Sequence, residues 1–341
     1  MKIVIDAFGG DNAPLEIIKS AVKAQEHFKI EICLTGNENI IKKVAKENNI
    51  DISNIEINHT EDVIPVDETP NAIMKEYNNS SMALGLRMVA NNEADGFVSA
   101  GNSGALCVGG TLIVKRLKGV KRPGFAPILP TFNGSSFMLI DGGANLDARP
   151  EILRQFGILG SVYMEKVMHR ESPRVALANV GTESHKGGDL QKETYALLQE
   201  SPVNFVGNVE SRDISNGACD VYVCDGFTGN ILLKNYEGVA KSLSHTVTDI
   251  FKKSVKNKIG ALFVYGDLMK FKETMNTDVY GGAPILGIKK PVFKAHGSSN
   301  ATTIFNAVRL TIDYINANVP QVIEDSFNKL KGIKYWKNLK K

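Results

Sequence analysis

The sequence lacks the features that define several classes of protein. Its 341 residues include one tryptophan and four cysteines, and no two cysteines form the CxxC pair typical of zinc or redox sites. No run of 18 apolar residues occurs, so we expect no membrane-spanning helix. Asp6 interrupts the apolar run near the amino terminus, which argues against a secretory signal. These absences predict a cytoplasmic protein with reduced thiols and no metal site.

The sequence also has little excess charge of either sign. A formal net charge of +3 is too small to indicate a nucleic-acid partner, and we expect none. Residues 331–341 alone carry five lysines, so residues 1–330 are slightly acidic. The remaining positive charge is concentrated at 115–122 and 252–258. This placement suits an acidic protein partner and an anionic membrane surface.

Short apolar runs rich in β-branched residues alternate with longer segments of helical periodicity. This alternation predicts an α/β doubly wound fold, in which parallel strands are covered on both faces. The predicted strands are 3–5, 30–35, 96–100, 137–140, 174–178, 204–207 and 221–224. The predicted helices are 14–27, 38–49, 70–91, 104–118, 150–169, 188–200 and 299–316. Residues 231–279 break the alternation with two long helical patterns and no strand.

Polar, glycine-rich turns follow most of these strands, and the 31 glycines exceed the usual share of about 7%. Parallel strands end at one edge of a sheet, so the turns should meet there or on an adjoining lobe. Glycine lets backbone N–H groups approach an anion, and polar residues before a helix add donors. The pattern predicts a phosphate or oxyanion site. Its candidate binding residues are Asp11, Asn12, Gly101, Asn102, Ser103, Gly104, Asp141, Asn145, Asn179, Asp225, Thr228, Ser298, Ser299 and Asn300.

Three further residues are candidates for catalysis: Lys186, His296 and Asn230. Lys186 precedes two glycines and could neutralise a developing oxyanion, and His296 lies in a turn that opens a helix. Ser103 is interpreted as an anion-binding cap rather than a nucleophile, because the GxSxG motif is absent. Asp6 and the aspartates among the binding residues could hold a metal, but they could equally cap helices. GxGxxG and Walker A motifs are also absent, so we expect no cofactor and no use of ATP.

Eight strings in collinear order across residues 1–330 resemble the bacterial phosphate acyltransferases. Together they are far more specific than any single glycine-rich turn. They are IDAFGGDNAP at 5–14, SAGNSGA at 99–105, DGGAN at 141–145, ALANVGTESHKG at 176–187, FVGNVESRD at 205–213, CDGFTGNILLK at 224–234, YGGAPILG at 280–287 and KAHGSSN at 294–300.

The resemblance implies a three-layer α/β/α sandwich of the isocitrate/isopropylmalate dehydrogenase and phosphotransacetylase type. We therefore expect one catalytic domain over 1–330, with a protruding helical hairpin at about 235–279 and a basic tail at 331–341. It implies a homodimer with its site in a cleft near the subunit interface. It also implies transfer of a long-chain fatty acyl group from acyl-carrier protein to inorganic phosphate. The acyl phosphate would then serve a downstream glycerol-3-phosphate acyltransferase in phosphatidic acid and phospholipid synthesis.

In this scheme phosphate itself attacks the thioester, so the protein positions the reactants and stabilises the oxyanion. Gly101, Asn102, Ser103 and the turn 225–230 would hold phosphate. Lys186 would stabilise charge, and His296 would steer phosphate or protonate the leaving sulfur.

Two surface segments are candidates for contact with partners. A basic cluster at 115–122 would dock the acidic carrier protein, although it could simply be a solvated helix end. Its residues are Lys115, Arg116, Lys118, Lys121 and Arg122. The apolar segment 259–271 carries Leu262, Phe263 and Val264, which would contact the membrane peripherally; a dimer-interface hairpin is the alternative.

Three rival functions remain open from sequence. A phosphotransacetylase would use acyl-CoA in place of the carrier protein. An NAD- and metal-dependent decarboxylating dehydrogenase is disfavoured, because no nicotinamide fingerprint or Asp-rich metal cluster is present. A non-enzymatic membrane scaffold would not explain the polar turns.

Overall fold

The structure is a computed structural model that describes residues 1–274 and 277–330, without the side chains of 271–278 and 330. The predicted basic tail, residues 331–341, lies outside the described residues. The strands, numbered in chain order, are β1 Lys2–Asp6, β2 Glu31–Gly36, β3 Glu56–His59, β4 Gly96–Ser99, β5 Gly124–Phe125, β6 Ile128–Pro130, β7 Ser136–Ile140, β8 Arg174–Ala178, β9 Asn204–Val209, β10 Val221–Val223, β11 Ala283–Leu286 and β12 Val292–Lys294.

The helices occupy both faces of the strands. They are α1 Leu15–Phe28, α2 Glu38–Glu47, α3 Ser81–Ala90, α4 Ser103–Gly109, α5 Pro150–Lys166, α6 Asp189–Gln199, α7 Ser211–Ile214, α8 Gly226–Lys252, α9 Val255–Phe263, α10 Tyr265–Thr274, α11 Ala301–Asn316 and α12 Val319–Leu330. Short 3-10 helices lie at Pro70–Met74 and Thr277–Tyr280, and a π-helical segment extends α4 over Gly110–Lys115.

The strands form two sheets. The first has the order β3-β2-β1-β4-β12-β11-β5, in which β11 is antiparallel to both of its neighbours. The second has the order β6-β7-β10-β8-β9, in which only β6 is antiparallel. Each sheet therefore has its own carboxyl edge, where turns after parallel strands can form a site.

The alternation of side chains explains why the central strands read as continuous apolar runs. On β1, Ile3 and Ile5 join a core cluster with residues of α1 and α11, whereas Val4 joins a different cluster with residues of α3 and α4. On the second sheet, Ile140 packs in the cluster of α5, and Leu139 in that of α8. Helices thus cover both faces of each sheet, and the predicted α/β class and three-layer sandwich are confirmed.

One core cluster contains residues of both sheets, including Ile5 of β1, Ile140 of β7 and Phe156 of α5. The two sheets therefore pack together. The assignment of residues 1–330 to one catalytic domain stays a prediction.

All seven predicted strands are present, but two predicted helices have different limits. The segment 70–91 is divided, because Ser80 starts α3 by accepting a hydrogen bond from the Ala83 N–H at 3.4 Å. The segment 104–118 ends at Lys115, whose φ of 74° lies outside the helical region. The helical pattern of 231–279 begins earlier, at Gly226, and forms α8, α9 and α10.

Candidate functional site

The first cluster of predicted site residues lies at the carboxyl ends of the neighbouring parallel strands β1, β4 and β12. We call it the first-sheet cluster; it comprises Asp11, Asn12, Gly101–Gly104 and His296–Asn300. The Asn12 amide donates to the carbonyls of Ser298 at 3.2 Å and Ser299 at 3.1 Å. The Asp11 N–H donates to the Gly297 carbonyl at 2.7 Å. These bonds join turns that are nearly 290 residues apart in sequence.

Two glycines after β1 allow this close approach. Gly10 has a φ of +93°, and a Cβ there would lie 2.7 Å from the Gly297 carbonyl oxygen. A Cβ on Gly9 would lie 2.6 Å from the Gly101 nitrogen. Because both distances are shorter than real Cβ contacts, the three turns can meet only through bare backbone.

Two buried charged residues lie beneath these turns. Asp6, at the end of β1, accepts hydrogen bonds from the hydroxyls of Ser81 and Ser99, both at 2.7 Å. Burial raises the pKa of this carboxyl. Lys294, at the end of β12, is also buried and donates to the Ala100 carbonyl. Neither residue was among the predicted binding residues, and β12 itself was not predicted.

The Asn102 side chain organises the turn after β4. Its Oδ1 accepts from the Ala105 N–H at 2.9 Å and caps α4, as the sequence pattern predicts for a cap. Its Nδ2 donates to three carbonyls of the preceding loop, those of Pro65, Val66 and Glu68. Both polar groups of the Asn102 side chain are therefore already hydrogen-bonded within the protein. A phosphate at this turn would contact its backbone and the exposed Ser103.

The His296 ring is oriented by the turn that carries it. The Ser298 N–H donates to Nδ1 at 3.2 Å, and the Ser298 hydroxyl lies 2.8 Å from the same nitrogen. Because Nδ1 accepts a hydrogen bond, the neutral ring carries its proton on Nε2. That nitrogen lies 4.0 Å from Oε2 of Glu237 on α8. Glu237 was missed by sequence reasoning, because nothing in its helical surroundings distinguishes it from a solvated surface acid.

The second cluster of predicted residues lies at the carboxyl edge of the second sheet. We call it the second-sheet cluster; it comprises Asp141, Asn145, Asn179, Lys186, Asp225, Thr228 and Asn230. Asp225 caps α8 by accepting from the N–H and the hydroxyl of Thr228, at 2.9 and 2.8 Å. The Gly226 N–H donates to the Asn145 carbonyl at 2.8 Å, and Asn230 lies against Gly143. The turn after β7 and the start of α8 are thus joined.

Asp141 is fully buried and organises that turn. Its carboxylate accepts from the backbone N–H groups of Phe125, Ala144 and Asn145 at 2.6–3.1 Å, and from the Asn145 side chain at 2.8 Å. Burial raises the pKa of the carboxyl. Its predicted contact with phosphate stays a prediction, and the geometry gives it a positioning role.

Replacement of Asp141 by alanine is expected to lower the free energy of unfolding by about 3 kcal/mol, because several buried donors lose their acceptor at once. Urea denaturation, monitored by circular dichroism, measures this change in the free energy of unfolding. Asp147→Ala, six residues along the same loop and exposed, is the matched control and should change stability by less than about 0.5 kcal/mol. Equal stability of the two variants would contradict the positioning role.

Lys186 and Asn179 occupy the loop after β8. The Asn179 amide donates to the Lys186 carbonyl at 3.1 Å and accepts from the Val180 N–H at 2.8 Å, so it shapes the loop. The Lys186 side chain is exposed, and its ammonium makes no hydrogen bond or ion pair within the described part of the chain. The structure does not bring Lys186 into contact with the first-sheet cluster.

Helix α8 connects the two clusters. It begins at Asp225 beside Asn145, and Glu237 on its fourth turn faces His296. Twelve residues of α-helix span about 18 Å, which is the separation between the two points along α8. The Cys107 thiol of α4, whose pKa burial raises to about 12, feels the charges of both Asp141 and Lys294. Helix α8 therefore runs from the carboxyl edge of the second sheet to that of the first.

A cavity of about 1020 Å³ opens beside the first-sheet cluster. His296, Ser298 and Ser299 form its polar end, and apolar side chains of α8 extend from there along one wall. These apolar residues are Val239, Ala240, Leu243, Val247 and Phe251. A large, mostly apolar cavity with a few polar groups at one end is the usual form of a site for a lipophilic small molecule.

Both predicted contact segments carry exposed side chains. All five residues of the basic cluster at 115–122 are exposed. On α9, which has no buried residue, Leu262 is 76% and Phe263 is 86% exposed. Among the described residues, no group of three histidine, cysteine or acidic side chains could hold a metal ion. No helix in the described ranges is both long and apolar enough to cross a bilayer.

The fold is similar to that of solved phosphotransacetylases. The phosphotransacetylase of Streptococcus pyogenes superposes with a TM-score of 0.62 at 16% identity, over 93% of this chain and 94% of that one. The EutD phosphotransacetylase of Staphylococcus aureus gives a TM-score of 0.59 at 18% identity, over the same shares. These likenesses define the class of fold, a phosphotransacetylase-like α/β/α sandwich.

Sequence comparison then defines the family. The family model described as "Fatty acid synthesis protein" matches residues 1–322. The phosphate acyltransferase of Thermoanaerobacterium thermosaccharolyticum is 46% identical over 309 residues, 91% of each chain. That of Anoxybacillus flavithermus is 44% identical over 332 residues, 97% of this chain and 100% of the other. The chain therefore belongs to the phosphate acyltransferase family, and the prediction of a phosphate acyltransferase enzyme is confirmed.

Proposed function

We propose that the protein transfers a long-chain fatty acyl group from acyl-carrier protein to inorganic phosphate, giving an acyl phosphate. The observation that carries this proposal is that a polar cluster and an apolar cavity meet at the same residues. His296, Ser298 and Ser299 belong to the polar first-sheet cluster and also form the end of the apolar cavity. A reaction between a phosphate and a lipophilic thioester needs such a boundary, with the reacting carbonyl held where the two environments meet.

The polar side of this boundary suits a phosphate anion. Turns after three strands meet through backbone at Gly9, Gly10 and Gly101, and Asn300 starts α11 with its Oδ1 accepting from the Thr303 N–H at 3.0 Å. Helix starts and glycine turns present backbone N–H groups to an anion. Asn230 and Thr228 lie in the first turns of α8, where they would contact phosphate or the carbonyl from the side of the second sheet.

The reaction needs no covalent enzyme intermediate. A phosphate oxygen attacks the thioester carbonyl carbon, a C–O bond forms, and the carbonyl oxygen becomes an oxyanion. The C–S bond then breaks, and the sulfur of the carrier's pantetheine arm leaves with a proton. A protonated His296 would deliver this proton to the sulfur from Nε2 and recover a proton from the attacking hydrogenphosphate, so the proton count balances. Lys186 would stabilise the oxyanion if the β8 loop closes over the site.

The decisive experiment incubates the purified protein with an acyl-carrier-protein thioester and inorganic phosphate and traps acyl phosphate with hydroxylamine. We expect a phosphate-dependent acyl hydroxamate, and no product without phosphate. A parallel reaction with acyl-CoA tests the alternative donor: a higher kcat/KM for acyl-CoA would replace the carrier protein as donor. Absence of the hydroxamate with both donors would refute the proposed function.

The exposed basic cluster at 115–122 is proposed as the docking surface for the acidic carrier protein. Its residues lie at the end of the π-helical segment that extends α4, and α4 begins at the turn after β4. Opposite charge on the carrier would steer association and register. Charge reversal of Lys118 and Lys121 that left the KM for the carrier protein unchanged would remove this surface from consideration.

The helical hairpin of α8–α10 is proposed to contact the membrane peripherally, where it would release the lipophilic product to a downstream glycerol-3-phosphate acyltransferase in phosphatidic acid synthesis. The exposed Leu262 and Phe263 stand beside Lys256 and Lys258, a combination that favours anionic bilayer surfaces. A homodimer formed through the same hairpin is compatible with this contact if the tips stay free.

Replacing both Leu262 and Phe263 by glutamate should reduce binding to anionic phospholipid vesicles at least about tenfold, since each inserted side chain contributes roughly 1.5–3 kcal/mol. Vesicle co-sedimentation measures the bound fraction. Ile40→Glu, on the exposed part of α2, is the control and should bind like the original protein. If the double variant instead dissociates a dimer in analytical ultracentrifugation and binds vesicles normally, the hairpin tip is an interface between subunits.

A further inference from the structure

Lys294 is a buried cation of the first-sheet cluster that the reaction scheme above does not use. It ends β12, and only 7% of its surface is exposed. Burial of an ammonium group costs free energy unless the surroundings compensate it. An apolar residue would occupy the end of a buried strand at a lower cost in free energy. The presence of a charged residue there therefore indicates a function for the charge.

The Lys294 ammonium joins two site turns. Its Nζ donates to the Ala100 carbonyl at 3.1 Å, and it also donates to the Ala295 carbonyl. Ala100 directly precedes Gly101 in the turn after β4, and Ala295 directly precedes His296 in the turn after β12. The ammonium has three N–H groups. Within the described ranges, the third has no protein acceptor at hydrogen-bond distance.

Four ionisable groups act on this ammonium from the elements around it. Asp6 on β1, Asp11 in the following turn and the Cys107 thiol on α4 favour its charge, whereas Lys234 on α8 opposes it. Desolvation outweighs these groups and lowers the pKa of Lys294 to about 8. The group is therefore charged at neutral pH and loses its charge under mildly alkaline conditions.

We propose that Lys294 is a positioning residue of the phosphate site, holding the turns after β4 and β12 at a fixed spacing and placing positive charge beneath them. This inference rests on the proposed function for the identity of the anion. A neutral amine keeps two N–H donors but no charge, so deprotonation weakens phosphate binding while the fold persists. Phosphate affinity then depends on pH through this residue, in addition to the titration of phosphate itself.

The test measures the Kd of inorganic phosphate alone by calorimetry, and its KM in the acyl-transfer assay, at pH 7, 8 and 9. Lys294→Met removes donors and charge, and should weaken phosphate binding about tenfold at pH 7. Lys294→Arg keeps a charge throughout this range and should remove the alkaline weakening that the original protein shows. Lys289→Met, five residues earlier and exposed, is the matched control and should behave as the original protein.

Phosphate Kd and KM values of Lys294→Met within twofold of the original, with the same pH profile, would overturn the inference. If Lys294→Met fails to fold, the decision rests on Lys294→Arg, which must lose the alkaline weakening. Calorimetric Kd values that depend on Lys294, in a protein that makes no acyl phosphate, would support the inference and refute only the proposed function. If the protein forms acyl phosphate and neither Lys294→Met nor Lys294→Arg changes the KM for phosphate, only the inference is refuted.

Discussion

Replacing His296 by alanine is expected to lower kcat for acyl transfer from the carrier protein about a hundredfold, with a much smaller change in KM for phosphate. Proton transfer by a positioned side chain contributes about 10²–10⁴ to a rate. The N–H and the hydroxyl of Ser298 both contact Nδ1 of His296, which orients the ring at the end of the apolar cavity. Steady-state kinetics with the hydroxylamine assay measure both constants.

The leaving group separates the two roles open to His296. An aryl thioester expels a thiolate that needs no proton, so His296→Ala should lose much less rate with that donor if the histidine protonates sulfur. An equal loss with both donors would assign the residue to steering of phosphate. His245→Ala, an exposed histidine on α8, is the control and should retain full activity. A kcat of His296→Ala within threefold of the original would contradict both roles.

Filling the cavity along α8 is expected to change the acyl chain length that the protein accepts. The proposed change is Val247→Trp. Val247 lines the cavity ten residues, or about 15 Å of helix, beyond Glu237, which faces His296. Excluding four methylene groups from an apolar cavity costs about 3 kcal/mol, which corresponds to roughly a hundredfold loss in kcat/KM for the longest chains. Short-chain donors should react as before.

A second variant closer to His296 tests whether the length limit moves with the position of the added bulk. Ala240→Trp lies only three residues beyond Glu237, so it should exclude chains of intermediate length that Val247→Trp still accepts. His245→Trp adds the same bulk at an exposed position on α8 that does not line the cavity, and should leave the profile unchanged. A series of carrier-protein thioesters of increasing length measures the profiles. Equal profiles for Ala240→Trp and Val247→Trp would show that the chain lies elsewhere.

The sequence predicted well those features that depend on neighbours along the chain. Six of the seven predicted strands have buried central residues, which is why each reads as an apolar run. The exception is the edge strand β9, in which Val206 is 43% exposed. Asn102, Asp225 and Asn300 were placed before helices, and each accepts the expected hydrogen bond from the third residue beyond it. The five strands that were missed are short, and four of them lie in antiparallel pairings that stabilise them from outside the segment.

The roles of the site residues were less predictable. The sequence pattern assigned Asn12, Asn102 and Asn179 to phosphate, but their amides donate to backbone carbonyls that shape the turns. The same polar groups can serve either purpose, and only the positions of distant carbonyls decide between them. Lys294 was left out of the predicted site, and Glu237 was missed, for a related reason. A lysine or a glutamate in a sequence is expected to be exposed, because most such residues lie on the surface. Only the packed structure shows that one is buried or lies close to a partner.

The sequence by itself determined the strands, the helix caps, the glycine turns and the family, because each depends on short-range sterics, burial periodicity or a contiguous string of residues. Only the tertiary structure decided that the turns divide between two sheets and that α8 connects them. It also decided that a buried ammonium lies beneath the first-sheet cluster and that an oriented imidazole borders an apolar cavity. Those contacts join residues such as Asn12 and Ser299, which lie 287 positions apart. Their formation depends on the packing of complete sheets and helices, which no local pattern encodes.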